Sequence, residues 1–187
     1  MPRQVHEFDP PARFVAGTVG QPGERAFFLQ ASGDNRLVSV ALEKVQVQVL
    51  AERLDQMLDE VRRQLGPQSG VPEDAPPELE DVGPLDAPVE EEFRVGTMAI
   101  AWEGETARVV VEAQAALAEG EEAAVPLADE SVEGPDVLRV RIPPAAARAF
   151  VARAQRVIAA GRPPCPLCAL PLEPEGHVCP RQNGHRH

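Results

Sequence analysis

The segments Arg36-Leu-Val-Ser-Val-Ala-Leu42 and Val137-Leu-Arg-Val-Arg-Ile142 each lead directly into a helical pattern. Residues 137–142 alternate apolar with polar side chains, and residues 36–42 do so in part, which predicts half-buried β-strands. In residues 43–65 and 143–160, apolar residues recur at three- and four-residue steps, which predicts amphipathic helices. The fold is therefore predicted to contain two strand-to-helix units.

Two further strands are predicted before each unit. In the first half they cover residues 13–19 and 25–31, which are rich in β-branched and aromatic side chains. In the second half they cover residues 92–102 and 106–113. Each half is thus predicted to read strand, strand, strand, helix.

The two halves also correspond residue by residue. Gly17-Thr18 matches Gly96-Thr97. At an offset of 100, helix positions pair as follows: Leu50 with Phe150, Arg53 with Arg153, Met57 with Val157 and Leu58 with Ile158. Chance similarity of generic alternating sequence is the alternative explanation. We predict an α+β fold of two βββα repeats, residues 1–65 and 93–161, each an antiparallel sheet with one helix, whose sheets join or pack together.

Residues 66–92 lie between the repeats and differ from them in composition. They contain nine acidic side chains, six prolines and no basic residue. Because such a segment has little apolar surface to bury, we predict an acidic, proline-rich linker that does not pack. A solvating spacer is its simplest role, and docking of a basic partner is the alternative.

The net charge of −12 argues against general binding to nucleic acid or anionic membranes, since both need a basic surface. Residues 66–92 and 118–136 together carry sixteen acidic side chains and no basic one, so the remainder is close to neutral. No apolar run reaches the roughly 18 residues of a transmembrane helix. The amino-terminal residues lack a signal-peptide pattern. Cytoplasmic location is the expectation.

The tail, residues 162–187, carries a metal-binding pattern. The two-residue gap between Cys165 and Cys168 lets both thiolates face one ion, and Zn²⁺ prefers four tetrahedral sulfur and imidazole ligands. His177 is the best fourth ligand, and His185 is the alternative. We predict a zinc knuckle with these ligands: Cys165, Cys168, His177 and Cys179.

Other readings of the tail follow from the same residues. Four protein ligands would close the site, and a closed site supports structure without activating water. If His177 does not bind, an open three-cysteine site would place Glu173 or Glu175 near a bound water. Free thiols and a redox-active Cys-x-x-Cys pair are further alternatives.

Five arginines are candidates for an anion-binding or partner surface: Arg139 and Arg141 on one strand face, and Arg148, Arg153 and Arg156 on the last helix. Pairing with carboxylates and exposure to solvent are the commoner roles of such residues. No catalytic residue is identified from the sequence.

Two stretches carry a family resemblance. One is Phe14-Val-Ala-Gly-Thr-Val-Gly20 with Arg25-Ala-Phe-Phe-Leu-Gln-Ala31, and the more specific one is Arg162-Pro-Pro-Cys-Pro-Leu-Cys168 with Pro174-Glu-Gly-His-Val-Cys-Pro-Arg-Gln-Asn-Gly184. They resemble a family of actinobacterial repeat proteins, the domain of unknown function 3090. Genes of that family tend to lie beside those of a histidine-phosphatase-like protein and a protein similar to phosphatidylinositol kinases. The resemblance therefore implies a protein partner in a phosphate-related process.

The sequence favours a zinc-stapled, non-enzymatic interaction or regulatory protein. The first alternative is an enzyme that holds an anionic, phosphorylated substrate in the groove between the repeats. The second is a nucleic-acid-associated zinc protein, which the net charge disfavours.

Overall fold

The computed structural model describes residues 3–118, 133–161, 164–170, 172, 177 and 179–182. In this part of the chain, the strands are β1 (Val5–Phe8), β2 (Arg13–Val19), β3 (Ala26–Gly33), β4 (Arg36–Leu42), β5 (Glu91–Glu103), β6 (Arg108–Ala115) and β7 (Val137–Ile142). The helices are α1 (Lys44–Leu65) and α2 (Pro144–Ala159). The predicted α+β class is confirmed.

The seven strands form one sheet in the order β1-β7-β6-β5-β4-β3-β2. Strands β2, β3 and β4 are antiparallel neighbours, and so are β5, β6 and β7. The two sets join through a parallel β4–β5 pair, with α1 as the crossover between them. The element order from β2 to α2 is thus βββα followed by βββα. The relation of these units as repeats remains a prediction.

Strand β1 was not expected from the sequence. It pairs in parallel with β7, from Val5 beside Val137 to Phe8 beside Val140. Only Phe8 of its four residues is fully buried, so the segment shows almost no hydrophobic periodicity. Its structure depends on hydrogen bonds to a strand that lies more than a hundred residues away along the chain.

The sheet is strongly curved, because its two edges are joined by a short stretch of chain. Strands β1 and β2 are the opposite edges, and residues 9–12 connect them. A flat sheet would separate the edges by about 29 Å, whereas this connection reaches at most about 18 Å. A hydrogen bond supports this curvature. Arg36, at the start of β4, donates to the Glu7 carbonyl oxygen of β1 at 2.7 Å, although the two strands are four positions apart in the sheet order.

The hydrophobic core lies between the sheet and the two helices, and both halves contribute to it. Leu29, Val40 and Val140 from the sheet and Leu54 and Leu58 from α1 are fully buried. Burying one such side chain contributes about 1.5–3 kcal/mol relative to leaving it exposed.

Each helix packs on the first strand of the opposite half. The Phe150 ring of α2 stacks on Phe14 of β2, with ring centroids 4.6 Å apart. Gln46 of α1 donates through Nε2 to the Val95 carbonyl oxygen of β5 at 3.2 Å. The helices therefore tie the two halves to each other.

Residues 66–92 were expected not to pack, but the structure shows specific contacts with the body. The Asp86 backbone N–H donates to Gln30 Oε1 at 2.7 Å, and Gln30 Nε2 donates back to the Asp86 carbonyl oxygen at 3.0 Å. Leu85 lies so close to Gly17 that a side chain there would clash with it. Hydrogen bonds and ion pairs hold a segment whose apolar content is low. The division into domains at residues 65, 92 and 161 remains a prediction.

Within the described ranges, no helix combines the length and apolar character needed to span a bilayer. Residues 119–132, which make up most of the second acidic stretch, lie outside these ranges.

Candidate metal centre

Cys165-Pro-Leu-Cys168 forms a tight turn at the start of the candidate centre. The Ala169 N–H donates to the Cys165 carbonyl oxygen at 2.9 Å, and the Cys165 N–H donates to the Leu170 carbonyl oxygen at 2.8 Å. Ala169 has a φ of 61°, in the left-handed region that non-glycine residues seldom occupy. This conformation allows the chain to reverse immediately after the second cysteine.

The turn also directs backbone N–H groups at one sulfur. Hydrogen bonds from the Cys168 and Leu167 N–H groups lower the pKa of the Cys165 thiol. Burial, in contrast, raises the pKa of the Cys168 thiol. Because the thiolate is the form that binds metals, the turn prepares Cys165 as a ligand.

Cys179 and His177 complete a compact cluster. Cys165 Sγ lies 4.0 Å from Cys179 Sγ, and Cys168 Sγ lies 3.4 Å from His177 Nε2. A tetrahedral site with Zn–S of about 2.3 Å and Zn–N of about 2.0 Å has S···S edges near 3.8 Å and S···N edges near 3.5 Å. All four ligand atoms lie within 4.8 Å of one another, so the cluster could hold a metal ion.

The three cysteines of the cluster form no disulfide bond with one another. The 4.0 Å between Cys165 Sγ and Cys179 Sγ is about twice a disulfide bond length, and all three cysteines are free. Cys165 and Cys179 are buried, whereas Cys168 and His177 are half-buried. Three free thiols and one imidazole, gathered around one point and at least half-buried, suit a metal site.

The structure brings together the four residues that the sequence suggested: Cys165, Cys168, His177 and Cys179. The alternative ligand His185 lies outside the described residues, as do Glu173 and Glu175. Metal binding by the four residues, and zinc as the metal, remain predictions.

The five candidate arginines are all engaged by carboxylates. The pairs are Arg139 with Glu112, Arg141 with Glu7 and Glu103, Arg148 with Asp55 and Asp59, Arg153 with Asp81, and Arg156 with Glu80. Their charge is therefore already matched within the chain, and pairing is the role the structure supports.

Sequence reasoning missed the most connected of these carboxylates. Asp81 accepts hydrogen bonds from Arg13 Nε and from Arg153 Nη1, each at 2.7 Å. The Arg13 hydrogen bond, followed by the positive charges of Arg13 and Arg153, holds the pKa of Asp81 below its ordinary value. The partners lie 68 and 72 residues away along the chain, so no local pattern could have revealed the pairing.

The described residues define a class: a mixed α+β protein in which they form one curved seven-stranded sheet, two α-helices and a Cys₃His cluster that follows α2. Residues 6–179 match the family described as "protein of unknown function (DUF3090)". The chain belongs to this family, which confirms the resemblance seen in its strands and tail. Comparisons with curated proteins and with solved structures give no match.

Proposed function

We propose that this protein is a zinc-stapled, non-enzymatic interaction or regulatory protein. The observation that carries the proposal is the convergence of three thiols and one imidazole on a single point. Four protein ligands satisfy tetrahedral zinc and leave no position for water or substrate. The metal would then tie Cys165 and Cys168 to His177 and Cys179, in a tail with little apolar surface of its own.

The arginine pairs favour this role over catalysis on an anionic substrate. Arg139 and Arg141, the strand arginines assigned to that alternative, are bound to Glu112, Glu103 and Glu7. A cleft of about 1000 Å³ between the helices and residues 66–75 carries acidic groups as well as arginines. A phosphorylated substrate would meet like charges there, which costs binding energy.

The proposed partner is a protein, and the proposed compartment is the cytoplasm. The family resemblance implies a kinase-like or histidine-phosphatase-like partner. Three unpaired thiols suit a reducing compartment. The net charge of −12 supports a protein partner over nucleic acid.

Metal analysis of the purified chain tests the zinc assignment. We expect one zinc ion per chain, and we expect Cys165→Ser to lose it because three ligands bind far more weakly than four. Leu167→Ser is the matched control, because Leu167 is exposed between the two cysteines and contributes only its backbone N–H. Absence of metal from the wild-type chain, or equal zinc in Cys165→Ser, contradicts the proposal.

Affinity capture from the native cell tests the interaction role. A kinase-like or phosphatase-like protein recovered with the wild-type chain supports it. Turnover of a phosphorylated substrate by the purified chain, with no protein partner recovered, would instead support the enzyme.

A further inference from the structure

Each helix forms a cleft with the first strand of the opposite half, and the two clefts use corresponding helix positions. The α2–β2 cleft is lined from α2 by Ala146, Ala149, Phe150 and Arg153. The α1–β5 cleft is lined from α1 by Gln46, Val49, Leu50 and Arg53, together with Val45. Each of the four α2 residues has a counterpart 100 residues earlier among the α1 residues, and 100 is the offset found in the sequence.

The α2–β2 cleft is occupied by the chain itself. Leu79 and Asp81, from the segment that follows α1, form part of its lining and leave a volume of about 160 Å³. The Asp81 carboxylate binds Arg153, while its backbone carbonyl oxygen accepts from the same guanidinium at 2.8 Å. This cleft therefore holds an acidic segment that makes a 3₁₀ turn at Pro77–Leu79 and places the Asp81 carboxylate against Arg153. Leu79 lies at the cleft wall and is 42% exposed.

The α1–β5 cleft has no such occupant among the residues that the structure describes. Its volume is about 360 Å³, and its walls include Val45, Val49, Met98 and Ile100. Val45 and Val49 are 62% and 44% exposed, on the side of an amphipathic helix that faces a neighbouring strand. Such an apolar surface beside a strand is typical of an interaction site.

Arg53 lies in the α1–β5 cleft at the position that Arg153 has in the other. Arg153 is buried and bound to Asp81. Arg53 is exposed, and no carboxylate in the described ranges forms an ion pair with it. The cleft therefore offers an apolar wall and, at the helix position that corresponds to Arg153, a cationic group.

We propose that the α1–β5 cleft docks a short acidic segment of a partner protein. Its aliphatic side chain would pack against Val45, Val49 and Met98, and a carboxylate two residues later would pair with Arg53. This inference rests on the proposed function as an interaction protein, and it identifies the surface through which the interaction takes place. The Gly17–Gly96 correspondence puts Glu92 in place of Arg13, so one arginine serves here instead of two, and an acidic side chain near His6 replaces the second cation. Docking is accordingly weak and reversible.

A peptide with the sequence of residues 76–86, which contains Leu79 and Asp81, is the probe. Titrated into the labelled full-length chain, it should cause saturable NMR shifts at Val45, Val49 and Met98. Arg53→Glu should weaken binding about five- to tenfold, because it removes a charge-assisted contact and adds repulsion. Arg63→Glu, the same charge change on an exposed part of the same helix, should leave it unchanged.

Three outcomes of the titration would overturn the assignment: no saturable shifts at millimolar peptide, shifts confined to other surfaces, or equal effects of Arg53→Glu and Arg63→Glu. Self-association that Arg53→Glu abolishes would show that a second copy fills the cleft, and would also overturn it. Affinity capture separates this inference from the proposed function. A partner recovered equally by the wild-type and Arg53→Glu chains refutes the cleft alone, whereas no partner with either chain refutes the interaction role.

Discussion

Asp81→Asn tests whether the acidic segment of residues 66–92 packs stably against the sheet and helices. The substitution keeps the shape of the side chain but removes the charge that faces Arg13 and Arg153. Arg153 is nearly buried, with 7% of its side chain exposed, so losing its counter-charge leaves a poorly solvated cation. Breaking a fully buried pair costs about 3–5 kcal/mol.

Two features reduce that cost. Arg153 keeps the carbonyl oxygens of Ala16 and of residue 81 as acceptors, at 2.8 Å each. The side chain of Asp81 is also 30% exposed, so solvent screens part of the interaction. We therefore expect the free energy of unfolding to fall by about 2 kcal/mol, which corresponds to a decrease in Tm of about 4–8 °C.

Urea denaturation followed by circular dichroism measures the change, and Glu80→Gln is the matched control. Glu80 is the adjacent residue and pairs with Arg156, but both side chains are about half exposed. The control should therefore lose less than about 1 kcal/mol. Equal midpoints for Asp81→Asn and Glu80→Gln would refute the reasoning, because the acidic segment would then contribute no buried pair.

The pH dependence supplies a second check on Asp81. Its pKa in the folded chain lies below the ordinary value of 3.8, so its stabilisation is present above that value. As the pH falls through the folded pKa, the carboxylate is protonated and the stabilisation is lost. The difference between wild type and Asp81→Asn should be full at neutral pH and should disappear in strong acid. A constant difference would contradict an ionic origin.

Three further substitutions test other parts of the structure. Ala169→Gly should slow zinc loss to a chelator, because it relieves a left-handed conformation that costs a non-glycine residue about 1–2 kcal/mol. Gly17→Ala should lower the free energy of unfolding by about 1–3 kcal/mol, since the added methyl group would clash with Leu85. Glu112→Gln should lower it by about 3 kcal/mol, because Glu112 is fully buried against Arg139 at 3.0 Å. Chelator competition measures the first effect and urea denaturation the other two. Unchanged zinc loss, or midpoints equal to wild type, would contradict the respective contact.

Local pattern was sufficient for most of the secondary structure. The predicted strands at residues 36–42 and 137–142 coincide with β4 and β7. Their hydrophobic alternation is a property of neighbouring residues, so it can be read without knowing the fold. Strand β1 was not predicted, because its four residues, of which only Phe8 is buried, show too little alternation of apolar and polar side chains.

The metal cluster was equally accessible, because its ligands are close in sequence. Cys165 and Cys168 are separated by two residues, and His177 and Cys179 by one, so the two members of each pair can face a single ion. The structure gathers the four side chains around one point. The left-handed turn at Ala169, the N–H groups directed at Cys165 and the position of His177 in the cluster needed three-dimensional information.

The amino-acid sequence by itself therefore determined most of the secondary-structure elements, the candidate ligands and the family, because each depends on short-range or composition-level patterns. The tertiary structure alone decided the curvature of the sheet, the burial of Asp81 between Arg13 and Arg153, and the open cleft beside Arg53. These features depend on contacts between residues far apart in the chain. Composition marked residues 66–92 as a solvated linker, but two distant arginines make the segment part of the folded body.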